Sequence, residues 1–190
     1  MDDSDGAVVV RAQSGDGDAF RTLVERHSRS VFRLAYRMTG NEQDAEDVVQ
    51  ETFLRAYKQL SHYESRSSFS TWLYRIASNY SLDLIRMRKR HEDKRENDTA
   101  EGRSVLDRIP ATAPTQDRLL FGKEVEQRVS AAMDELSDLE RSAFVLRHFE
   151  GLSIEEIGSM LGTSLNATKH SIFRAVQKLR KLLEPLVSTT

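Results

Sequence analysis

Apolar side chains recur at intervals of three and four residues along most of this 190-residue chain. Such spacing is typical of helices that bury one face. The apolar stripes cover residues 20–38, 49–60, 69–85, 121–136, 139–149, 157–161 and 165–183. No stretch alternates apolar and polar residues with the period of two that a half-buried strand requires. The spacing therefore predicts an all-α protein, with Asp18 as the N-cap of the first long helix and Gly40 at its end.

Residues 91–117 interrupt the helical pattern. They carry mixed charges, few apolar residues, and the prolines Pro110 and Pro114. A segment of this composition cannot bury enough apolar surface to offset the entropy lost on ordering, so we expect a flexible linker. The linker divides the chain into two small helical domains, residues 1–90 and residues 118–190. Domains of this size have thin cores and depend on partners or on each other for part of their stability.

Two capping boxes mark helix starts in the second half of the chain. Ser137 precedes Glu140 by three residues, and Ser153 precedes Glu156 in the same way. In this motif the hydroxyl and the carboxylate satisfy opposite backbone amides of a starting helix. We therefore expect one helix to start at Ser137 and a shorter one to start at Ser153. The glycines expected to end these two helices are Gly151 and Gly162.

A longer basic helix follows the short one and completes a helix-turn-helix pattern. Residues 165–183 contain five bases and no acid. Gly158, inside the short helix, indicates a close crossing of the two helices, because glycine in a helix otherwise costs about 1 kcal/mol. In this motif the second helix enters the major groove of DNA. The side chains expected to face DNA are Asn166, Lys169, His170, Phe173 and Arg174, and those expected to face the core are Ile172, Val176 and Leu179. An ordinary helical hairpin with a cationic outer face is the alternative.

The first half of the chain separates its charges into blocks. Residues 41–54 carry five acids and no base, whereas residues 85–90 carry four bases and no acid. An acidic helix repels DNA and is suited to docking on a basic protein surface. Asn79 and Arg86 lie seven residues apart and share one helix face, so the Asn79 amide could pair with a base edge in an opened strand. Nearby aromatic residues could stack bases, although Trp72 at helical spacing is more typical of a core residue. The aromatic residues in question are Tyr63, Phe69, Trp72, Tyr74 and Tyr80.

The sequence also excludes several kinds of functional site. It contains no cysteine, so it has no disulfide, thiol nucleophile or cysteine-ligated metal. Its five histidines do not follow a metal-binding spacing, and it has no glycine-rich phosphate loop. We therefore predict a protein that is not an enzyme and uses no metal or cofactor. The lack of a signal pattern and of a long apolar run predicts an intracellular protein without membrane insertion.

Three segments resemble the extracytoplasmic-function class of bacterial RNA polymerase sigma factors. They are residues 44–57 (DAEDVVQETFLRAY), residues 69–79 (FSTWLYRIASN) and residues 152–158 (LSIEEIG). The resemblance covers most of residues 8–183 and places both domains in the order of the family. It implies sigma region 2 in the first domain, sigma region 4 in the second domain, and no region 3.

The resemblance also implies roles for individual residues of region 2. The acidic helix would dock on the coiled coil of the largest RNA polymerase subunit. The loop of residues 60–68, together with Asn79, would capture a base flipped out of the promoter -10 element, and the cationic cluster would hold backbone phosphates. The implied polymerase contacts are Asp44, Asp47, Gln50 and Glu51. The implied -10 contacts are Leu60, Ser61, Tyr63, Ile76, Asn79, Asp83, Arg86, Arg88 and Lys89.

By the same resemblance, the helix-turn-helix would read the promoter -35 element as duplex DNA. The implied contacts are Arg147, Ser164, Asn166, Lys169, His170, Phe173 and Arg174. The family often has arginine where this chain has Ser171 and Val176, and a branched apolar residue where it has Thr168. These differences bear on which -35 sequence is recognised and not on the fold.

These implications describe an alternative sigma factor that directs promoter-specific transcription initiation. Its partners would be core RNA polymerase, promoter DNA and an anti-sigma factor that holds it inactive in the cytoplasm until a stress signal. A conventional helix-turn-helix activator is the alternative, but it leaves the acidic helix and residues 69–79 unexplained. The formal net charge of −2 is then the sum of acidic and cationic surfaces that cancel.

Overall fold

The computed structural model describes residues 5–98 and 127–187, and every regular element in these two ranges is a helix. The all-α prediction is therefore confirmed. The first range contains α1 (Asp5–Gln13), α2 (Gly17–Thr39), α3 (Glu42–Gln59), a 3₁₀ turn (Leu60–His62) and α4 (Phe69–Asp98). The second range contains α5 (described over residues 127–134), α6 (Asp138–His148), α7 (Ile154–Leu161) and α8 (Leu165–Val187).

Helix α2 is the central helix of the first bundle and contacts α1, α3 and α4. Its N-cap is Asp16, whose Oδ1 atom accepts 3.0 Å hydrogen bonds from the backbone amides of Asp18 and Ala19. The prediction that Asp18 is the cap is wrong, because Asp16 already satisfies the first unpaired amides and Asp18 lies inside the first turn. The predicted end at Gly40 is confirmed, with a φ of 69°.

Helix α1 is not indicated by the apolar spacing, because its nine residues hold only a short apolar stripe. Its buried residues are Val8, Val9 and Ala12. At its end, the side-chain amide of Gln13 donates 2.9 Å hydrogen bonds to the backbone carbonyls of Leu60 and Tyr63. Helix α1 therefore stabilises the loop between α3 and α4 through these two hydrogen bonds.

Helix α4 continues to Asp98, beyond the expected domain boundary at residue 90. The composition of residues 91–98 indicates a linker, but all of them are helical. A helix that is already nucleated on a buried segment extends at little further cost, which accounts for the difference. The rest of the expected linker lies outside the described residues, as do Phe121 and Val125 of the next apolar stripe.

Helices α6 and α7 each begin with the predicted capping box. The Ser137 hydroxyl accepts a hydrogen bond from the backbone amide of Glu140, whose carboxylate accepts one from the amide of Ser137. Ser153 and Glu156 form the same reciprocal pair. Both predicted boxes are therefore confirmed. The glycines that follow the two helices have the predicted positive φ, 69° at Gly151 and 64° at Gly162.

Helix α7 approaches the first turn of α8 at Gly158. A Cβ atom on Gly158 would lie 3.1 Å from the carbonyl oxygen of Thr163 and 3.2 Å from the hydroxyl of Thr168. Thr168 is itself buried, and its hydroxyl donates a 3.0 Å hydrogen bond to the carbonyl of Ser164. The close approach explains the glycine and confirms the predicted helix-turn-helix.

The core side of α8 differs from the prediction at Val176. Val176 is 36% exposed, and its neighbour Ala175 is fully buried in its place. Thr168 and Ser171 are also buried, and they precede Ala175 by seven and four residues, so all three share one helix face. The core-facing residues that agree with the prediction are Ile172, which is half-buried, and Leu179.

The two halves of the chain pack against each other around Arg37 and Arg141. The Arg141 Nε atom donates a 2.7 Å hydrogen bond to the backbone carbonyl of Arg37, and a Cβ atom on Gly40 would lie 3.0 Å from Arg141 Nη2. The Arg37 guanidinium lies 4.2 Å from the centroid of the Phe149 ring and 3.4 Å from Glu150 Oε1. Phe149, which the sequence places in the buried stripe of α6, is 51% exposed and contacts this cation.

Within residues 5–98 and 127–187, no helix has the length and apolar content needed to cross a bilayer. No group of three or more His, Asp or Glu side chains in the same part of the chain is placed to hold a metal ion. The His27 ring lies 2.8 Å from Asp5 Oδ2 and packs edge to face against the ring of Phe69, so these two neighbours account for its polar and apolar contacts.

Candidate nucleic-acid and polymerase interface

Helix α3 presents the acidic surface that the resemblance assigns to polymerase binding. Asp47 and Gln50 are exposed, whereas Asp44 and Glu51 are half-buried. Beside them, a groove of about 430 Å³ lies between α2 and α3. Its lining residues are Ser28, Arg29, Phe32, Glu46, Val49 and Gln50. The surface joins carboxylates to a partly apolar groove, a combination that suits a protein partner better than DNA.

The two half-buried acids, Asp44 and Glu51, already have cationic partners within the chain. Asp44 forms an ion pair with Arg88 of α4. Glu51 Oε1 accepts a 2.6 Å hydrogen bond from Nε of Arg55, one turn further along α3. The Asp44–Arg88 pair joins a predicted polymerase contact to a predicted DNA contact. Asp47 is therefore the most accessible carboxylate of the predicted docking set.

The loop between α3 and α4 is held by an aromatic cluster. The rings of Tyr63, Phe69 and Trp72 contact one another, with centroids 5.7 Å apart for the first two and 5.0 Å apart for Tyr63 and Trp72. The Tyr63 hydroxyl donates a 2.6 Å hydrogen bond to the carbonyl of Ser67, and burial raises the pKa of this hydroxyl. The loop therefore has a defined shape before any ligand binds.

The first residues of this loop divide between core and surface. Leu60, a predicted -10 contact, is 4% exposed, so its side chain is not accessible to DNA in this conformation. Its apolar side chain belongs to the core of the first bundle, and its carbonyl is bonded to Gln13 of α1. Ser61 is exposed, and its hydroxyl lies 3.2 Å from Nδ1 of His62. Ser61 and the half-buried Tyr63 stay as predicted contacts.

Asn79 lies in a groove of about 300 Å³ between α3 and α4. The residues that line this groove, called here the Asn79 groove, are Arg55, Gln59, Trp72, Arg75, Ile76 and Asn79. Trp72, Ile76 and Asn79 follow one another by four and three residues, so they project from one face of α4. The structure thus brings two predicted -10 contacts, Ile76 and Asn79, together with the indole of Trp72.

Three polar residues of the Asn79 groove, Arg55, Gln59 and Arg75, are missed by the sequence reasoning. The only available signal is the spacing of Arg55 and Gln59, which lie one turn apart on α3. The Arg55 guanidinium lies 4.9 Å from the centroid of the Tyr80 ring and is hydrogen-bonded to Glu51, so two contacts hold it in place. The groove joins hydrogen-bond donors to an indole side chain, and both kinds of group can bind an unpaired base.

The cationic end of α4 is exposed, and each predicted phosphate contact has an acidic neighbour. The pairs are Arg86–Asp83 at 3.9 Å, Arg88–Asp44, and Lys89–Asp138 at 2.6 Å. The cation of each pair is exposed, and ion pairs at the surface contribute about 0–1 kcal/mol, so a polyanion can displace the acids. Asp83 is exposed, lies 3.9 Å from Arg86 and stays a predicted -10 contact.

The helix-turn-helix exposes the predicted -35 residues. Ser164 caps α8, and its hydroxyl accepts a 3.2 Å hydrogen bond from the amide of Ala167. Arg147, near the end of α6, donates a 2.8 Å hydrogen bond from Nη1 to the carbonyl of Leu152, which holds it beside the turn. The predicted contacts on the first turns of α8, all exposed, are Asn166, Lys169, His170 and Phe173.

Arg174 differs from the other predicted -35 residues because it pairs with a buried acid. Its Nε atom lies 3.2 Å from Oε1 of Glu140, and Nζ of Lys178 lies 2.7 Å from Oε2 of the same carboxylate. Burial raises the pKa of Glu140, but the Lys178 hydrogen bond, the Ser137 amide and the two cations lower it, and the net shift is downward. The sequence reasoning assigned Glu140 to the capping box alone and missed both ion pairs.

The Asn79 groove suits an unpaired base, whereas α8 suits duplex DNA. A chain that combines two such surfaces has the features of a DNA-binding transcription protein. The Sigma-70 region 2 family matches residues 23–91, and the Sigma-70 region 4 family matches residues 126–179. The chain belongs to the extracytoplasmic-function sigma factors, so it is a transcription initiation factor and not an enzyme.

Curated relatives agree with this family along nearly the whole chain. The chain is 37% identical over 192 residues to the ECF RNA polymerase sigma factor SigE of Mycolicibacterium smegmatis, covering all of this chain and 72% of that protein. It is 34% identical over 179 residues to the ECF RNA polymerase sigma factor SigW of Bacillus subtilis, covering 94% of this chain and 96% of that protein.

Solved structures of similar fold include two protein complexes. One is CnrH in complex with the cytosolic domain of CnrY, with a TM-score of 0.67, 28% identity, and coverage of 96% of this chain and 99% of that chain. The other is the sigma factor RpoE in complex with the anti-sigma factor NepR from Bartonella quintana, with a TM-score of 0.64, 25% identity, and coverage of 87% and 96%.

Proposed function

We propose that this sigma factor reads the promoter -35 element as duplex DNA through α8 and captures a flipped base of the -10 element in the Asn79 groove. The observation that carries the proposal is the groove itself. It places the amide of Asn79 beside the indole of Trp72 and the restrained guanidinium of Arg55. Promoter recognition and the first step of melting would then occur on one chain that performs no bond chemistry.

Capture of a flipped base provides the driving force for melting. Unstacking and unpairing a base costs a few kcal/mol, which the pocket and the polymerase contacts must offset. Stacking on an aromatic side chain contributes about 1–3 kcal/mol per base, and a bidentate amide–base pair contributes a similar amount. The combined contribution of Trp72 and Asn79 is therefore comparable to the cost of unstacking and unpairing the base. Arg86 and Lys89 would hold the adjoining phosphates.

On the upstream side, α8 supplies the residues for duplex recognition. Asn166 and Lys169 lie near the N-terminus of the helix, which is the part that reaches base edges in this motif. Phe173 is 62% exposed and offers an apolar surface that suits a thymine methyl group. Lys169 adds attraction for phosphates, which positions the helix without specifying sequence.

The protein partners follow from the remaining surfaces. Core RNA polymerase would dock on Asp47 and Gln50 and in the groove lined by Phe32 and Val49. An anti-sigma factor would hold the protein inactive until a stress signal. This partner is supported by the similar fold of RpoE, which was solved with the anti-sigma factor NepR. A protein that works on polymerase and chromosomal DNA acts in the cytoplasm.

The first experiment separates a sigma factor that reads promoters from a conventional activator. Run-off transcription is measured with core RNA polymerase, this chain and a promoter library, without any other sigma factor. We expect transcripts that start at defined promoters. Transcription that appears only when another sigma factor is added would support the activator and contradict the proposal.

The second experiment tests base capture. Asn79→Ala should lower open-complex formation about 10- to 100-fold, because one bidentate base contact of about 1–3 kcal/mol is lost, while core polymerase binding is unchanged. Asn166→Ala is the matched control, since it removes the same amide from the other DNA surface. It should weaken binding to the -35 duplex and leave melting of the bound promoter unchanged. Normal open-complex formation by Asn79→Ala would contradict the assignment.

A further inference from the structure

Glu140 makes contacts that its capping role does not require. It is 4% exposed, and its Oε2 atom accepts the 3.0 Å hydrogen bond from the Ser137 amide that completes the cap. The same carboxylate lies 3.2 Å from Nε of Arg174 and 2.7 Å from Nζ of Lys178. Glu156 forms the equivalent cap on α7 and is exposed. Capping alone therefore does not explain why Glu140 is buried between two cations of α8.

Arg174 and Lys178 lie one turn apart on α8, so one carboxylate can contact both. A buried carboxylate needs such compensation, because desolvation disfavours its charged form. Lys178 makes the shorter contact and donates a hydrogen bond to Glu140. Lys178 and the Ser137 amide therefore supply much of what keeps Glu140 ionised, and Glu140 in turn acts on Arg174.

The contact between Arg174 and Glu140 restrains the plane of the guanidinium. The Arg174 side chain is 62% exposed and approaches Glu140 through Nε. A guanidinium carries five N–H donors in one plane, so a contact at Nε orients the plane and leaves Nη1 and Nη2 for another partner. Arginine reads guanine through two donors at once, which requires the plane to be aligned with the base edge. The orientation of the guanidinium plane therefore matters for contacts with a base edge, whereas binding to a phosphate does not depend on it to the same degree.

We propose that Glu140 is a positioning residue for -35 recognition. It orients Arg174 toward a base edge and, through its negative charge, weakens the attraction of Arg174 for the phosphates of unrelated DNA. The inference rests on the proposed function, in which α8 reads the -35 element. It gives Glu140 no contact with DNA. Loss of the Glu140 charge should therefore reduce discrimination between promoters more than it reduces affinity.

The test uses two promoter fragments that share a -10 element and carry either an intact or a scrambled -35 element. Holoenzyme assembled from core RNA polymerase and the full chain binds each fragment over a range of salt concentrations. Glu140→Gln keeps an oxygen for the cap but removes the charge. We expect the ratio of the two affinities to fall about tenfold, while affinity for the scrambled fragment stays the same or rises.

A matched control and a double variant separate positioning from general damage. Glu156→Gln makes the same substitution in the other capping box and should leave the ratio of affinities within about twofold of wild type. Arg174→Ala should lose the same discrimination as Glu140→Gln, and the double variant should lose no more, because Glu140 acts through Arg174. Additive losses, or an equal loss in Glu156→Gln, would overturn the proposal.

Circular dichroism of each variant verifies that it folds. If Glu140→Gln does not fold, Lys178→Gln takes its place, because it removes the shorter of the two ion pairs that keep Glu140 ionised. Discrimination between the two fragments should then fall in part, and unchanged discrimination would overturn the proposal. Equal binding of both fragments by wild-type holoenzyme would instead contradict the proposed -35 reading. Discrimination that persists in folded Glu140→Gln would contradict only the role of Glu140.

Discussion

Helices α4 and α8 both present cations to solvent, but they hold them in different ways. The cations of α4 pair with exposed or half-buried acids, as Lys89 does with Asp138. Arg174 and Lys178 of α8 share Glu140, which is almost fully buried. Exposed pairs contribute little and yield to a competing anion, whereas disrupting a buried pair leaves an uncompensated charge. Helix α4 can therefore exchange its acidic neighbours for a ligand, whereas the orientation of Arg174 and Lys178 on α8 is set within the domain.

The strongest way to disturb α8 is to change its contact with α7 at Gly158. Gly158→Val would place branched carbon atoms against the Thr163 carbonyl and the Thr168 hydroxyl, where even a Cβ atom is 3.1 Å and 3.2 Å away. We expect a loss of about 3 kcal/mol in the free energy of unfolding of the second domain. Urea denaturation followed by circular dichroism measures it. Ser159→Val, at the exposed neighbouring position, should stay within about 0.5 kcal/mol, and equal losses would refute the close crossing.

The pH dependence of unfolding tests the buried pair at Glu140. Its pKa is lower in the folded state, so the stability it contributes is present above the unfolded value of about 4.5 and is lost as the pH falls through the folded value. At neutral pH, Glu140→Gln should cost about 2 kcal/mol, because Arg174 and Lys178 lose a buried partner. The difference from wild type should close in acid. Denaturation curves that stay equally far apart at every pH would contradict this account.

The capping box of α7 gives a smaller and purely local effect. Ser153→Ala removes the hydroxyl that accepts from the Glu156 amide and should cost about 1 kcal/mol. Ser153→Gly should cost only a few tenths of that amount, because glycine tolerates the N-cap backbone. Thermal denaturation of both variants measures the difference. If alanine and glycine were equivalent, the hydroxyl would not be the source of the stability.

The surface pair of α4 should give the smallest effect. Lys89→Gln, which breaks the 2.6 Å contact with Asp138, should change the free energy of unfolding by about 0.5 kcal/mol or less. High salt should remove even that difference, because the pair is exposed. A loss that exceeds 1 kcal/mol, or one that salt does not change, would mean that the Lys89–Asp138 pair of α4 stabilises the fold as strongly as the pairs of α8 with Glu140.

The sequence predicts best those features that depend on neighbouring residues. Ser153 and Glu156 form their capping box because all the interacting atoms lie within one turn. Gly158 indicates the close crossing because glycine inside a helix is costly without a packing reason. Asn79 and Ile76 lie in one groove because helical spacing alone puts them on one face. These inferences need no knowledge of how the helices pack.

The features that the sequence does not predict depend on contacts between distant residues. Glu140 meets Arg174 across two helices, and no spacing rule connects them. Leu60 belongs both to the apolar stripe of residues 49–60 and to the loop predicted to contact DNA, and its packing beside α1 and α3 decides that it is buried. Arg55 enters the Asn79 groove because α3 lies against α4 at that point. The local sequence pattern therefore predicts the helices and their caps, whereas the packing of the helices determines which side chains come into contact.

The glycine that ends α2 also has a consequence for mutational tolerance. Gly40 has a φ of 69°, which strains any residue with a Cβ atom. Asparagine tolerates this backbone better than most residues, but its Cβ would meet the Arg141 guanidinium, which the Arg37 carbonyl and Asp134 hold in place. A substitution at Gly40 is therefore destabilising for two reasons: backbone strain at the end of α2 and a steric contact with Arg141 of the other domain. A position that looks like a simple helix end is thus constrained by residues about a hundred positions away.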